Sequence, residues 1–117
     1  MREIKFRAWL ENKMLSHEDL VDMDQEFYAM YTILTEPQED MVFMQYTGLK
    51  DKNGKEIFEG DIVRIYSGRI KGSVKFQNAM FDVIEEGGNT SYLAEHDEDI
   101  EIIGNIHENP ELLEKAK

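Results

Sequence analysis

The second half of the chain is cut at short intervals by glycine and asparagine turns. They fall at Asn53-Gly54, Ser67-Gly68, Gln77-Asn78, Gly87-Gly88-Asn89 and Gly104-Asn105. The apolar runs between them, such as Ile62-Val63-Arg64-Ile65-Tyr66, are too short for packed helices and suit antiparallel strands. Short strands joined by tight turns leave an all-β barrel or sandwich as the economical way to bury one face of each. Glycines also permit the bending that a small barrel requires. The expected fold is therefore mainly β (a β-rich α+β class): an SH3-like barrel with additional N-terminal strands and a short C-terminal helix. The 117 residues suit a single domain spanning 1–117.

Alternation predicts a first strand over residues 3–9, with Ile4, Phe6 and Ala8 on one face and Lys5, Arg7 and Trp9 on the other. Residues 11–13 read as a turn into a short strand at Met14-Leu15. Ser16, followed by Glu18 and Asp19, can cap a short helix running to about residue 23. Residues 27–34 are apolar and aromatic and suit either a strand or a buried helical turn; residues 36–40 read as a polar loop. A strand is expected over 41–46, ended by Gly48. Asn53-Gly54 favours a type I′ turn, which needs positive φ at both central residues. Further strands are expected over 62–66, 70–76, 80–84, 90–94 and 100–106. Gly72 inside its strand suggests a bulge or sharp bend. Asn109-Pro110-Glu111 is a good helix start, with an Asn cap and Pro at the first helical position.

Composition narrows the chemistry. With no cysteine there is no disulfide, thiolate metal site or cysteine nucleophile, as expected in a reducing cytosol. The N-terminus alternates charge and apolar residues, unlike a signal peptide, and no stretch approaches a membrane span, so a cytoplasmic protein is expected. The net charge of −12 is uneven: +2 over residues 1–10, −8 over 11–45, +3 over 46–75 and −9 over 76–117. Such a balance gives solubility through self-repulsion and can also present an acidic surface to a basic partner.

Catalytic and metal motifs are missing from the sequence. His17, His96 and His107 have no metal-ligand spacing. Asp51-Lys52-Asn53-Gly54 departs from a calcium loop, because its glycine comes too early and lysines intervene. The serines lack a nucleophile elbow, and Gly87-Gly88 has no lysine partner for phosphate. The reading is a non-enzymatic protein-interaction module with no cofactor and no metal. Two alternatives stand beside it. Arg64, Arg69, Lys71 and Lys75, in the strand pair 64–75, could contact phosphates, although long-range repulsion from −12 makes nucleic acid the weaker choice. The acidic surface could also mimic nucleic acid and occupy a host protein. Tyr28 and Tyr31 are candidates for self-association, since aromatic residues are enriched in interface cores. The run 60–76 is similar to the KOW-type segment of some SH3-like domains.

Three longer stretches carry a broader likeness. They are Ile4-Lys5-Phe6-Arg7-Ala8-Trp9, the central block from Met44-Gln45-Tyr46-Thr47-Gly48-Leu49 through Asp51-Lys52-Asn53-Gly54-Lys55 to Gly60-Asp61-Ile62-Val63, and Ile103-Gly104-Asn105-Ile106-His107-Glu108-Asn109-Pro110-Glu111-Leu112. Together they span nearly the whole chain, which thereby resembles the YopX family of phage and prophage proteins. The resemblance implies a predominantly β domain with an SH3-like barrel part, of phage or prophage origin and expressed in a bacterial cytoplasm. It supplies no activity and no catalytic residues. The charge layout and the missing motifs make a host or phage protein the expected partner.

Overall fold

The computed structural model describes residues 5–10, 12–22, 41–96 and 99–113. Nine strands and one short α-helix are present among them, in two sheets. The first sheet has the order β2-β1-β3-β4, with β1 Phe6–Leu10, β2 Lys13–Leu15, β3 Met41–Lys50 and β4 Glu56–Phe58. The second has the order β8-β7-β6-β5-β9, with β5 Asp61–Ile65, β6 Ile70–Gln77, β7 Met80–Glu85, β8 Thr90–Tyr92 and β9 Glu101–Asn105. Every pairing is antiparallel. The five-stranded sheet curls into a half-barrel, so the mainly β class and the barrel part are both present. Among the described residues no helix is long and apolar enough to cross a membrane.

Alternation explains the packing. Ala8 is fully buried with Leu15, and Phe6, Leu10 and Phe43 close around them. Inside the curled sheet, Ile57, Val63, Ile65, Val74, Val83, Leu93 and Ile100 form the main core. In β6 and β7, Val74 faces Val83 and Phe76 faces Phe81; Val74 is buried, while Phe76 lies at the open end and is exposed. The helix α1 (His17–Asp22) begins as its cap residues dictate. Ser16 Oγ accepts the Asp19 N–H at 3.0 Å, and Asp19 Oδ2 accepts the Ser16 N–H at 3.0 Å. These bonds to Ser16, its backbone N–H first, hold the Asp19 carboxyl below its ordinary range.

Five local expectations are corrected. Gly48 does not end β3: the strand continues to Lys50, and its register against β4 shifts between Tyr46 and Lys50. Gly48 takes a left-handed φ of 88°, and Thr47 Oγ1 donates to the Ile57 carbonyl at 2.8 Å, so an irregularity is absorbed within the strand. The turn at Asn53-Gly54 is not type I′, because only Gly54 has positive φ, at 85°. Asp51 decides this. Its Oδ1 accepts the N–H groups of Asn53 and Lys55, both at 2.9 Å, and the closing bonds Gly54 N to Asp51 O and Asp51 N to Lys55 O make a three-residue loop ending in a left-handed glycine. At Gly72 the register is continuous on both sides, with no bulge. Asn109 does not cap a helix. Its Oδ1 accepts the Asn105 N–H at 3.2 Å, and the described part of the C-terminal element is a single 3-10 turn, Pro110–Leu113. The segment 90–94 likewise divides, with β8 stopping at Tyr92 and a 3-10 turn covering Leu93–His96. Residues 27–34, with Tyr28 and Tyr31, and the loop 36–40 lie outside the described residues.

Asp51 also reaches across the fold: its Oδ2 accepts the Ile102 N–H of β9 at 3.0 Å. Burial alone would raise this carboxyl, yet the three backbone donors outweigh it and hold the pKa below the ordinary 3.8. Its contribution to stability is therefore complete above pH 3.8 and fades as pH falls through the depressed value. Asp51→Asn, which leaves one acceptor oxygen for three donors, is expected to lose about 2 kcal/mol at neutral pH. Urea denaturation should show the gap between variant and parent closing as pH drops below 3.8. A gap independent of pH would contradict this account.

Candidate functional site

Two polar constellations emerge that no linear motif announces. The first joins the two sheets. Arg7 of β1 donates from Nη2 to Asp61 Oδ1 at 2.7 Å and to the Glu59 carbonyl at 3.2 Å, and its guanidinium lies 4.8 Å from the centre of the Phe58 ring. Asp61 Oδ2 accepts the Phe58 N–H at 2.8 Å. Lys5 extends the junction with a 2.6 Å ion pair to Glu56. Burial raises the Asp61 carboxyl above 3.8 even though Arg7 pulls the other way. Close by, His107 stacks on Trp9 with ring centroids 5.4 Å apart, and burial, assisted by the Arg7 charge, lowers its pKa. The charges here are largely matched within the chain, so this is a clamp between sheets. Arg7 Nε is buried without a hydrogen-bond partner among the described residues, and Arg7 and Asp61 also line an open pocket of about 370 Å³.

Arg64, Arg69, Lys71 and Lys75 lie on β5, β6 and the turn between them. Arg64, Lys71 and Lys75 share one face of the β5–β6 pair, since Arg64 stands opposite Lys71 and Lys75 is four residues on. Arg69 is exposed in the intervening turn. Carboxylates are interleaved with three of the four. Arg64 stands opposite Glu101, Lys71 Nζ is 4.0 Å from Glu86, and Lys75 stands opposite Asp82. Arg64 is half-buried and donates to the Gly68 carbonyl at 3.3 Å. The geometry thus presents mixed charge along this face, where a phosphate backbone favours an uninterrupted basic track.

The second constellation is an open pocket of about 470 Å³ between the β6–β7 turn, β8 and the following 3-10 turn. Gln77, Met80, Asp82, Ser91, Tyr92 and Glu95 are among its lining residues. Asp82 is 5% exposed, and its Oδ2 accepts from Gln77 Nε2 at 2.9 Å. Its Oδ1 is buried with no hydrogen-bond partner among the described residues. Glu95 is exposed, and its Oε1 accepts the Tyr92 N–H at 3.1 Å, which also covers a donor on the outer edge of β8. Tyr92 and Met80 form an exposed apolar lip, at 51% and 45%. Behind the pocket, Ser91 Oγ lies 2.8 Å from His96 Nε2. That distance suits a nucleophile and its base, but among the described residues no carboxylate hydrogen-bonds the His96 ring, which instead stands perpendicular to Tyr66 at 4.9 Å.

Asp82, Tyr92 and Glu95 were not picked out from the sequence. One signal was present: a single acid inside the apolar run Met80-Phe81-Asp82-Val83-Ile84. A charged residue centred in a strand that is half-buried or better on both faces needs either a partner or a purpose. The flanking strands β6 and β8 are neighbours in sequence, but which residues stand opposite Asp82 is fixed only by the register of the folded sheet.

Comparison with known proteins places the whole architecture. No curated protein matches the sequence. Two crystal structures are similar over essentially their full length. The protein EF1440 from Enterococcus faecalis shares 30% identity, covering 97% of this chain and 100% of its own, with a TM-score of 0.64. YopX from Bacillus subtilis shares 22% identity over 100% of both chains, with a TM-score of 0.66. The YopX protein family matches residues 5–114, which takes in both sheets, the Arg7–Asp61 clamp and the pocket. The chain belongs to the YopX family.

Proposed function

We propose that this protein is a non-enzymatic interaction module that takes a basic segment of a partner protein at the pocket between the β6–β7 turn and β8. The observation that carries the reading is the Asp82 carboxylate: buried, with one oxygen unpaired, and lining an open pocket whose lip is an exposed tyrosine and methionine. A buried acceptor without a donor is unfavourable by about 1–3 kcal/mol, and a donor delivered by a partner removes that penalty. Aromatic and methionine side chains at the rim suit protein contact. The acidic stretch 76–117, at −9, steers a basic segment toward this side and discourages nucleic acid.

Fluorescence anisotropy with three labelled probes tests the reading: a mixed Lys/Arg dodecapeptide, its Asp/Glu counterpart and a short DNA duplex. The basic peptide should bind, weaken as salt rises, and lose most of its affinity for Asp82→Asn protein. No binding of the basic peptide at any salt would defeat the proposal. Binding of the duplex that disappears on substituting Arg69 and Lys75 would favour the basic face instead.

A further inference from the structure

We infer that the pocket is a slot for a single arginine side chain, an inference that rests on the interaction reading above and specifies what enters. Three features of the pocket select guanidinium over ammonium. The first is desolvation. Asp82 Oδ1 is closed off from water, so a donor that reaches it has to shed its own hydration. An ammonium keeps its water shell tightly and gives up more on entering.

The second feature is the donor count. Asp82 Oδ1 is without a donor, and of the Glu95 carboxylate only Oε1 is engaged, by the Tyr92 N–H. Two carboxylates lining one pocket favour a cation with several N–H groups, which a guanidinium fork supplies. The third is the rim. Tyr92 is half exposed, and in the β7–β8 ladder it stands opposite Asp82. A cation held by Asp82 is therefore within reach of the Tyr92 ring, and guanidinium stacks on aromatic faces more readily than ammonium does. Met80, exposed in the same lining, supplies apolar surface for the aliphatic stem of the incoming side chain.

The chain's own nearby cation does not fill the slot. Lys75 stands opposite Asp82 in the β6–β7 ladder, yet it is exposed and makes no hydrogen bond to Oδ1. Gln77, which does bond Asp82, occupies only Oδ2 and fixes the carboxylate's orientation. The carboxylate is thus oriented from within and lacks a donor on Oδ1, which an incoming side chain reaches by displacing the exposed Met80 and Tyr92 side chains.

The test is a titration of the full, isotopically labelled chain, read by backbone amide shifts. The probes are the N-acetyl methylamides of arginine, lysine and citrulline; citrulline keeps the arginine shape without its charge. The arginine probe should shift Asp82, Tyr92 and Glu95, with the lysine probe about tenfold weaker and citrulline silent. Asp82→Asn should abolish the arginine shifts, and Tyr92→Leu, at a half-exposed position that the fold does not need, should weaken them severalfold. Equal binding of arginine and lysine would overturn the slot while leaving a basic partner standing. Shifts with citrulline equal to those with arginine would overturn the ionic basis. Binding of the dodecapeptide with no shifts at these three residues would overturn the location. Failure of both the dodecapeptide and the arginine probe would bring down the slot and the function together.

Discussion

Asp61→Ala is expected to destabilise the protein by about 3–5 kcal/mol, the range found when one member of a buried ion pair is removed. Asp61 is 2% exposed and the Arg7 side chain 13%, so water can do little for whichever partner is left behind. Alanine strips Arg7 of its carboxylate and leaves it with the Glu59 carbonyl and the face of Phe58. It also orphans the Phe58 N–H, which Asp61 Oδ2 now accepts at 2.8 Å. Because Arg7 belongs to one sheet and Asp61 to the other, the loss falls on the joint between them. Asp61→Asn should lose less, since an amide oxygen can still accept one of the two donors. Chemical denaturation at neutral pH measures both, and a loss below 1 kcal/mol for alanine would mean that the clamp is not the joint. The pH dependence has the opposite sign to that of Asp51. Burial raises the folded-state pKa of Asp61, so protonation favours the folded state as pH falls from that raised value to the ordinary 3.8.

Gly72→Ala is expected to cost about 3 kcal/mol, for a steric reason. A Cβ at this position would lie 2.6 Å from Val83 Cγ1 and 2.8 Å from the Ile84 carbonyl oxygen. The valine could rotate, although it is fully buried among the core residues of the curled sheet. The carbonyl cannot move without opening the β6–β7 ladder, where Gly72 pairs with Glu85 and Ser73 with Ile84. The thermal midpoint should fall by about 12–20 °C in a domain of this size. Combining Gly72→Ala with Val83→Ala separates the two contacts: the pair should be less destabilised than the sum of the single changes, but far from restored, because the carbonyl contact remains. Full recovery in the double variant would show that the valine alone imposes the glycine.

These two positions show where reading the sequence succeeded and where it stopped. Gly72 is visibly out of place in a strand, and a bulge is the local explanation for a strand glycine. Its actual cause is a close approach of β7, where a Cβ would meet the Val83 side chain and the Ile84 carbonyl. Asn53-Gly54 was legible as a turn, but its type was set by the Asp51 carboxylate, which captures two backbone donors in the loop and a third from β9. Asn109 followed by proline looks like a helix cap, and the cap was outcompeted when Asn105 folded close enough to take the Asn109 oxygen.

What the sequence determined on its own is whatever depends on neighbours in the chain. That includes the turn positions, the period-two faces of β1 and β6, the Ser16 cap of α1 and the lopsided charge. These follow from backbone sterics and side-chain spacing, which act over a few residues. Tertiary structure alone decided the pairing of Arg7 with Asp61 and the isolation of Asp82 Oδ1 beside Tyr92. The first joins strands distant in sequence and the second is set by the register of neighbouring strands, and in both the energy of a charge is set by what surrounds it in space.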